Sequence, residues 1–143
     1  MSLKKIIIID DDEELCEELE EILSEEGYKI SIARDGLSGK KMIEKNHYDV
    51  VILDLKLPVL NGFEVLQFVR SKNKPAKVVV ISGRPMNPDT LTLDKTDAQL
   101  MQEEKILKMA DMILNKPFDP QSLLGILRDI LGIKPAQEIQ GRR

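Results

Sequence analysis

Aromatic residues make up only 3% of the 143-residue chain, and tryptophan is absent. Platforms for stacking bases are therefore scarce, and no run of Lys and Arg is dense enough for a nucleic-acid footprint. Direct DNA or RNA binding is not expected. A single cysteine, Cys16, leaves no internal disulfide framework and fits a reducing cytoplasm. The one histidine, His47, lies in a polar turn and forms no Cys/His cluster of the kind that holds zinc. No apolar run approaches the roughly 20 residues of a membrane span. The isoleucine stretch after Lys4 and Lys5 is too short for a signal peptide. These absences leave one compact cytoplasmic domain with one core and no membrane insertion as the expectation.

Charge is plentiful but unevenly placed. The net charge is −4, yet eleven of the 25 acids and none of the 21 bases fall in residues 10–26, so the rest of the chain is net basic. The acids begin abruptly. "IIIIDDDEE" at residues 6–14 runs four isoleucines straight into five acids. Asp12, Glu13 and Glu14 suit the first turn of a helix, where a capping carboxylate and the helix dipole favour them. Capping does not account for two further acids, Asp10 and Asp11, at the end of the apolar run. Like charges placed together oppose folding unless a cation offsets them.

Short apolar runs alternate with helical periodicity throughout. Residues 6–9, 50–53, 78–81 and 112–114 read as strands, the first three continuous enough for burial on both faces. Residues 29–33, KISIA, alternate as an edge strand does. Leu15, Leu19, Ile22 and Leu23 share one helix face, with Gly27 as a stop. Asp35 caps a helix to about residue 46, with Leu37, the Lys40 and Lys41 stems and Ile43 around its apolar face. Helices are also expected over 62–71, over 97–109, and from an Asp119 or Ser122 cap to Leu131. Cys16 reads as a small buried or half-buried hydrophobe, His47 as solvated, and the six methionines as core filler. Five strands alternating with five helices indicate an α/β fold with a parallel sheet.

In such sheets chemistry gathers at the carboxyl ends of the strands. Here the strand ends are Asp10–Asp11, Asp54, Ser82 and Asn115–Lys116. Three carboxylates brought to one edge form a hard-oxygen site that suits Mg²⁺ better than a softer metal. A hydroxyl and an ammonium opposite them suit an incoming phosphoryl group. Taken singly, Ser82 and Lys116 would read equally well as turn residues; they gain meaning from the set.

The acidic pair after the first strand, "VVILDLKLPVLNGFEVL" around Asp54, "VVVISG" and "NKPF" occur in this order over residues 4–131. This chain resembles the receiver domains of two-component response regulators. The resemblance implies a doubly wound, flavodoxin/CheY-like sheet of five parallel strands in the order 2-1-3-4-5. It implies a receiver domain over 1–131 followed by a polar tail, 132–143. Asp54 matches the aspartate that accepts a phosphoryl group from the phosphohistidine of a histidine kinase or phosphotransfer protein. Asp11 matches a direct Mg²⁺ ligand, Asp10 the holder of a metal-bound water, and the backbone carbonyl of Lys56 a further ligand. Ser82 and Lys116 match the hydroxyl and ammonium that meet the phosphoryl oxygens, with the Lys116–Pro117 bond usually cis. A downstream protein effector is implied as reader. The acidic first helix lies on the surface where kinases dock in this family.

Two features depart from the family pattern. Residues 83–115 separate Ser82 from Lys116, roughly a dozen more than usual, or about three helical turns. The excess falls in an enlarged region at about 83–109. Where the family often carries a Tyr or Phe switch, this chain has Ile113, an aliphatic side chain with no hydroxyl to swing. Lys56 and Arg84 also flank the site; both read as solvated loop cations, or as groups that crowd a phosphoryl and prolong it. Two other classes compete with the switch. A haloacid-dehalogenase-like phosphatase wants a second acid two residues after the nucleophile, where this chain has Lys56. A receiver-like binding module would work without phosphorylation, as Ile113 and the enlarged region would allow.

Overall fold

The computed structural model describes residues 3–57, 60–72, 75–82 and 97–132. Strands β1 (Lys5–Ile9), β2 (Lys29–Ala33), β3 (Val50–Asp54), β4 (Lys77–Ser82) and β5 (Met112–Asn115) alternate with five helices. These are α1 (Glu13–Glu25), α2 (Gly36–Lys45), α3 (Gly62–Arg70), α4 (Asp97–Leu107) and α5 (Pro120–Leu131). All four strand pairs are parallel, and the order is β2-β1-β3-β4-β5, as the resemblance implied.

The continuous β-branched runs follow from burial on both faces of the sheet. Successive strand residues point to opposite sides, so each side needs its own apolar set. Ile7, Ile9, Val51, Leu53, Val78 and Val80 pack with residues of α2, α3 and α4. Ile6, Ile8, Val50, Ile52, Val79 and Ile81 pack with Cys16, Leu19 and Leu23 of α1 and Leu123, Leu124 and Leu127 of α5. Burying one such side chain stabilises the fold by roughly 1.5–3 kcal/mol. The central strands β1, β3 and β4 carry most of this burial, while β2 and β5 at the edges are more open.

Side chains close the helix starts as the sequence indicated. Asp12 accepts from the N–H of Leu15 at 3.1 Å, and Asp35 from that of Ser38 at 2.7 Å. Of the two caps considered for α5, Asp119 takes the position and accepts from the N–H of Gln121 at 3.0 Å. Gly27, at φ 95°, follows the end of α1 in the left-handed region that glycine adopts without strain.

Three expectations are corrected. The buried face of α2 is Gly36, Gly39 and Ile43, while Leu37 is 40% exposed and Lys41 is exposed too. Two glycines cannot be read as apolar periodicity, yet they let the helix approach its neighbours closely. Among the described residues the methionines are not core filler either: Met101, Met109 and Met112 are exposed and Met42 is only partly buried, while Met1 and Met86 lie outside the described residues. The helix expected over 97–109 ends at Leu107, where Met109 and Ala110 turn back onto the carbonyls of Ile106 and Leu107. Arg84, the greater part of the enlarged region and the tail beyond Gly132 lie outside the described residues.

Candidate functional site

Parallel strands bring the ends of β1, β3, β4 and β5 to one edge, and the polar residues that close them lie there. Asp10 follows β1 and is fully buried. Its N–H donates to the carbonyl of Ala33 at 3.0 Å, which fixes it against the end of β2. One carboxylate oxygen, Oδ1, accepts from the N–H of Asp12 at 2.9 Å. The other, Oδ2, is buried without a directed hydrogen bond, although the Lys116 ammonium lies 2.9 Å away. That contact is an ion pair at an unfavourable hydrogen-bonding angle, so the oxygen keeps capacity for another partner.

Asp54 ends β3 and is 4% exposed. Its Oδ1 accepts from the N–H of Lys56 at 3.1 Å, and its Oδ2 lies 3.4 Å from the Lys116 Nζ. Burial raises its pKa from 3.8 to about 6, and the neighbouring Asp10 charge pushes the same way. The Lys56 N–H and the Lys116 ammonium hold it back. Lys116 itself feels the opposite balance. Burial disfavours its charge, but Asp10 and Asp54 outweigh that and raise its pKa, so the ammonium stays charged.

Asp11 is exposed at the mouth of the site, and ligand oxygens of Asp10, Asp11 and Asp54 lie within 4.8 Å of one another. One cation can therefore touch all three. The fit to a hard divalent ion is good: the donors are all carboxylate oxygens, and one is buried and short of a partner. Ser82 is buried at the end of β4, and its carbonyl accepts from the N–H of Lys116 at 2.7 Å. The Lys116–Pro117 bond is cis. The structure thus gathers Asp10, Asp11, Asp54, Ser82 and Lys116. Lys56 contributes its backbone N–H, while its side chain is exposed.

Over residues 6–128 the sequence matches the profile of the response regulator receiver domain. The chain belongs to that family. The receiver is 30% identical over 138 residues to response regulator ArlR of Staphylococcus saprophyticus, a match covering 96% of this chain and 56% of the relative. It is 26% identical to the probable transcriptional regulator ycf29 of Porphyra purpurea, across 88% of this chain and 56% of the relative. The chain spans a little over half the length of these curated relatives. Among solved structures, a CheY-like receiver from Methanospirillum hungatei superposes with a TM-score of 0.75 at 27% identity, covering 92% of this chain and 95% of that one. TrrA of Thermotoga maritima, solved in complex with Mg²⁺–BeF, superposes with a TM-score of 0.72 at 29% identity, covering 90% and 99%.

One participant carries no motif in the sequence. The Cys16 thiol donates to the main-chain carbonyl of Asp10 at 3.4 Å. Burial first, then the Asp10 charge, pushes the thiol pKa up to about 11, which keeps it protonated as a donor. Only its place one turn into α1 hinted at this.

Proposed function

We propose that this receiver accepts a phosphoryl group on Asp54 from the phosphohistidine of a histidine kinase or phosphotransfer protein, and that the change alters a surface read by a downstream protein. The reading rests above all on three carboxylates from β1 and β3 with oxygens within 4.8 Å of one another, beside the Lys116 ammonium. Residues 1–131 form the receiver unit on this reading, acting in the cytoplasm.

Asp11, Asp54 and the Lys56 carbonyl would hold Mg²⁺, with Asp10 acting through a bound water; the Mg²⁺–BeF complex of TrrA supports magnesium as the cation. Bound there, the ion supplies charge neutralisation and alignment, which make up most of phosphoryl-transfer catalysis. In the transfer a carboxylate oxygen of Asp54 attacks phosphorus, the P–N bond breaks, and the imidazole leaves with a proton. Lys116 is 3.4 Å from Asp54 and follows the charge onto the phosphoryl oxygens. The Ser82 hydroxyl donates to another of them. The acyl phosphate adds about two negative charges, enough to bias a two-state surface. No external metabolite is turned over.

Acetyl phosphate with Mg²⁺, followed by intact-protein mass spectrometry, tests this. A phosphoryl adduct that is lost in Asp54→Ala is expected. Absence of any adduct favours a binding module that works unphosphorylated, a reading that the aliphatic, 39% exposed Ile113 at the switch position would suit. Release of phosphate from many substrates would point to a phosphatase.

A further inference from the structure

The loop that leaves Asp54 is gripped at close range by glycines from two helices. A Cβ on Gly62, the first residue of α3, would lie 2.5 Å from the Asp54 carbonyl oxygen and 2.6 Å from the Leu55 Cα. The Gly62 N–H donates to the Leu55 carbonyl at 3.0 Å. On the other side stands α2. A Cβ on Gly36, its first residue, would lie 1.8 Å from the carbonyl oxygen of Leu60 and 2.7 Å from its carbonyl carbon. Non-bonded atoms do not approach so closely, so only the lack of a side chain lets the helix start where it does.

The same helix face reaches the other half of the site. A Cβ on Gly39 would meet Ile9, the residue before Asp10, at 2.6 Å. Ala33, three residues before Gly36, accepts the Asp10 N–H. The Asp35 carboxylate fixes the helix start by accepting from both the N–H and the hydroxyl of Ser38, at 2.7 and 2.9 Å. The first turn of α2 is therefore a rigid stop against which the backbone at Leu60 is seated.

We infer that Gly36 is a positioning residue for the cation site, acting through Leu60 and, two residues on, the hydrogen bond from the Gly62 N–H to the Leu55 carbonyl to fix the backbone beside the Lys56 carbonyl. The inference rests on the magnesium reading above. A side chain at residue 36 forces the Leu60 backbone and the first turn of α2 apart by more than an ångström, and through Gly62 the displacement reaches Leu55, the neighbour of Lys56. Outer groups that orient metal ligands typically change affinity by 10–100-fold when altered.

Calorimetric titration of Mg²⁺ into the parent, Gly36→Ala and Ile43→Val, each well below its melting temperature, tests the assignment. Gly36→Ala is expected to weaken Mg²⁺ binding by about tenfold. Ile43→Val trims the same buried face of α2 away from the loop; it should lower the melting temperature and leave the affinity within about twofold. Unchanged affinity in Gly36→Ala overturns the inference, and so does equal weakening in both variants. If Gly36→Ala does not fold, Leu60→Gly loosens the seated loop from the other side without a clash. The same loss is expected there, and undiminished binding overturns the inference. A parent that binds no Mg²⁺ overturns the magnesium site itself, a separable result.

Discussion

At the amino-terminal edge of the sheet, Lys5, Lys29 and Lys77 open β1, β2 and β4, and all three are exposed. Their acidic neighbour Asp49 accepts the Lys5 N–H at 2.8 Å and lies 3.7 Å from His47, itself exposed. The charges there are solvated, spent on the backbone or paired one to one, as Asp111 is with Arg70 while it also accepts the Val78 N–H. At the carboxyl edge Asp10 and Asp54 are buried, close to Asp11, and share the Lys116 ammonium. One edge shows how a sheet disposes of charge at little cost. The other gathers three carboxylates, two of them buried, around the Lys116 ammonium, a concentration of like charge that opposes folding.

Removing the Lys116 counter-charge should have the largest effect. Lys116→Met leaves Asp10 and Asp54 facing each other, and the metal-free protein should lose about 3 kcal/mol or more in urea unfolding at pH 7. Adding Asp54→Asn should restore much of that loss, because the two changes act on one network. An equal loss in both backgrounds would break the contrast between the edges.

Acid should reveal the same repulsion. Asp54 binds its proton more tightly folded, at about 6, than unfolded, at 3.8, so protonation favours the folded state. Its contribution is complete below about pH 4 and is lost as pH rises through about 6, on the order of 3 kcal/mol in all. Unfolding of chelator-treated protein at pH 4.5 and 7.5, compared with Asp54→Asn, isolates this group. The parent should lose more stability than the variant on going to the higher pH.

Magnesium should offset that repulsion directly. At a hundred times its dissociation constant the ion should stabilise the protein by about 2.7 kcal/mol, seen as a raised melting temperature. Asp11→Asn should stabilise the metal-free protein slightly and blunt that response. Equal melting temperatures with and without excess Mg²⁺ would count heavily against the site. The smallest effect belongs to the other edge. Lys29→Gln and Lys77→Gln should each change stability by less than about 0.5 kcal/mol and leave phosphoryl transfer unaltered.

Much of this contrast is legible in the sequence. Short β-branched runs such as IIII and VVVI read as strands covered on both faces, and a parallel sheet then delivers Asp10, Asp54, Ser82 and Lys116 to one edge. Asp12, by contrast, was separable from Asp10 because capping explains one and not the other. What stayed hidden depends on shape rather than pattern. Gly36 and Gly39 make the inner face of α2 through what they lack, and periodicity counts only what is present. The exposed methionines stay hidden for a related reason: an apolar residue type does not reveal whether a neighbour covers it.

The joint between α1 and α5 bears on how the molecule is made. Arg128 pairs with Glu26 at the end of α1, from 102 positions further along, and Leu123, Leu124 and Leu127 complete the apolar layer begun by Cys16, Leu19 and Leu23. A chain growing from its amino end therefore holds half a core open until α5 has been added. Contacts so distant in sequence slow folding and leave apolar surface exposed meanwhile. Truncation before residue 120 should yield a chain that aggregates rather than a smaller receiver, and the carboxylate cluster around Asp54 can come into being only once both layers of the core have closed.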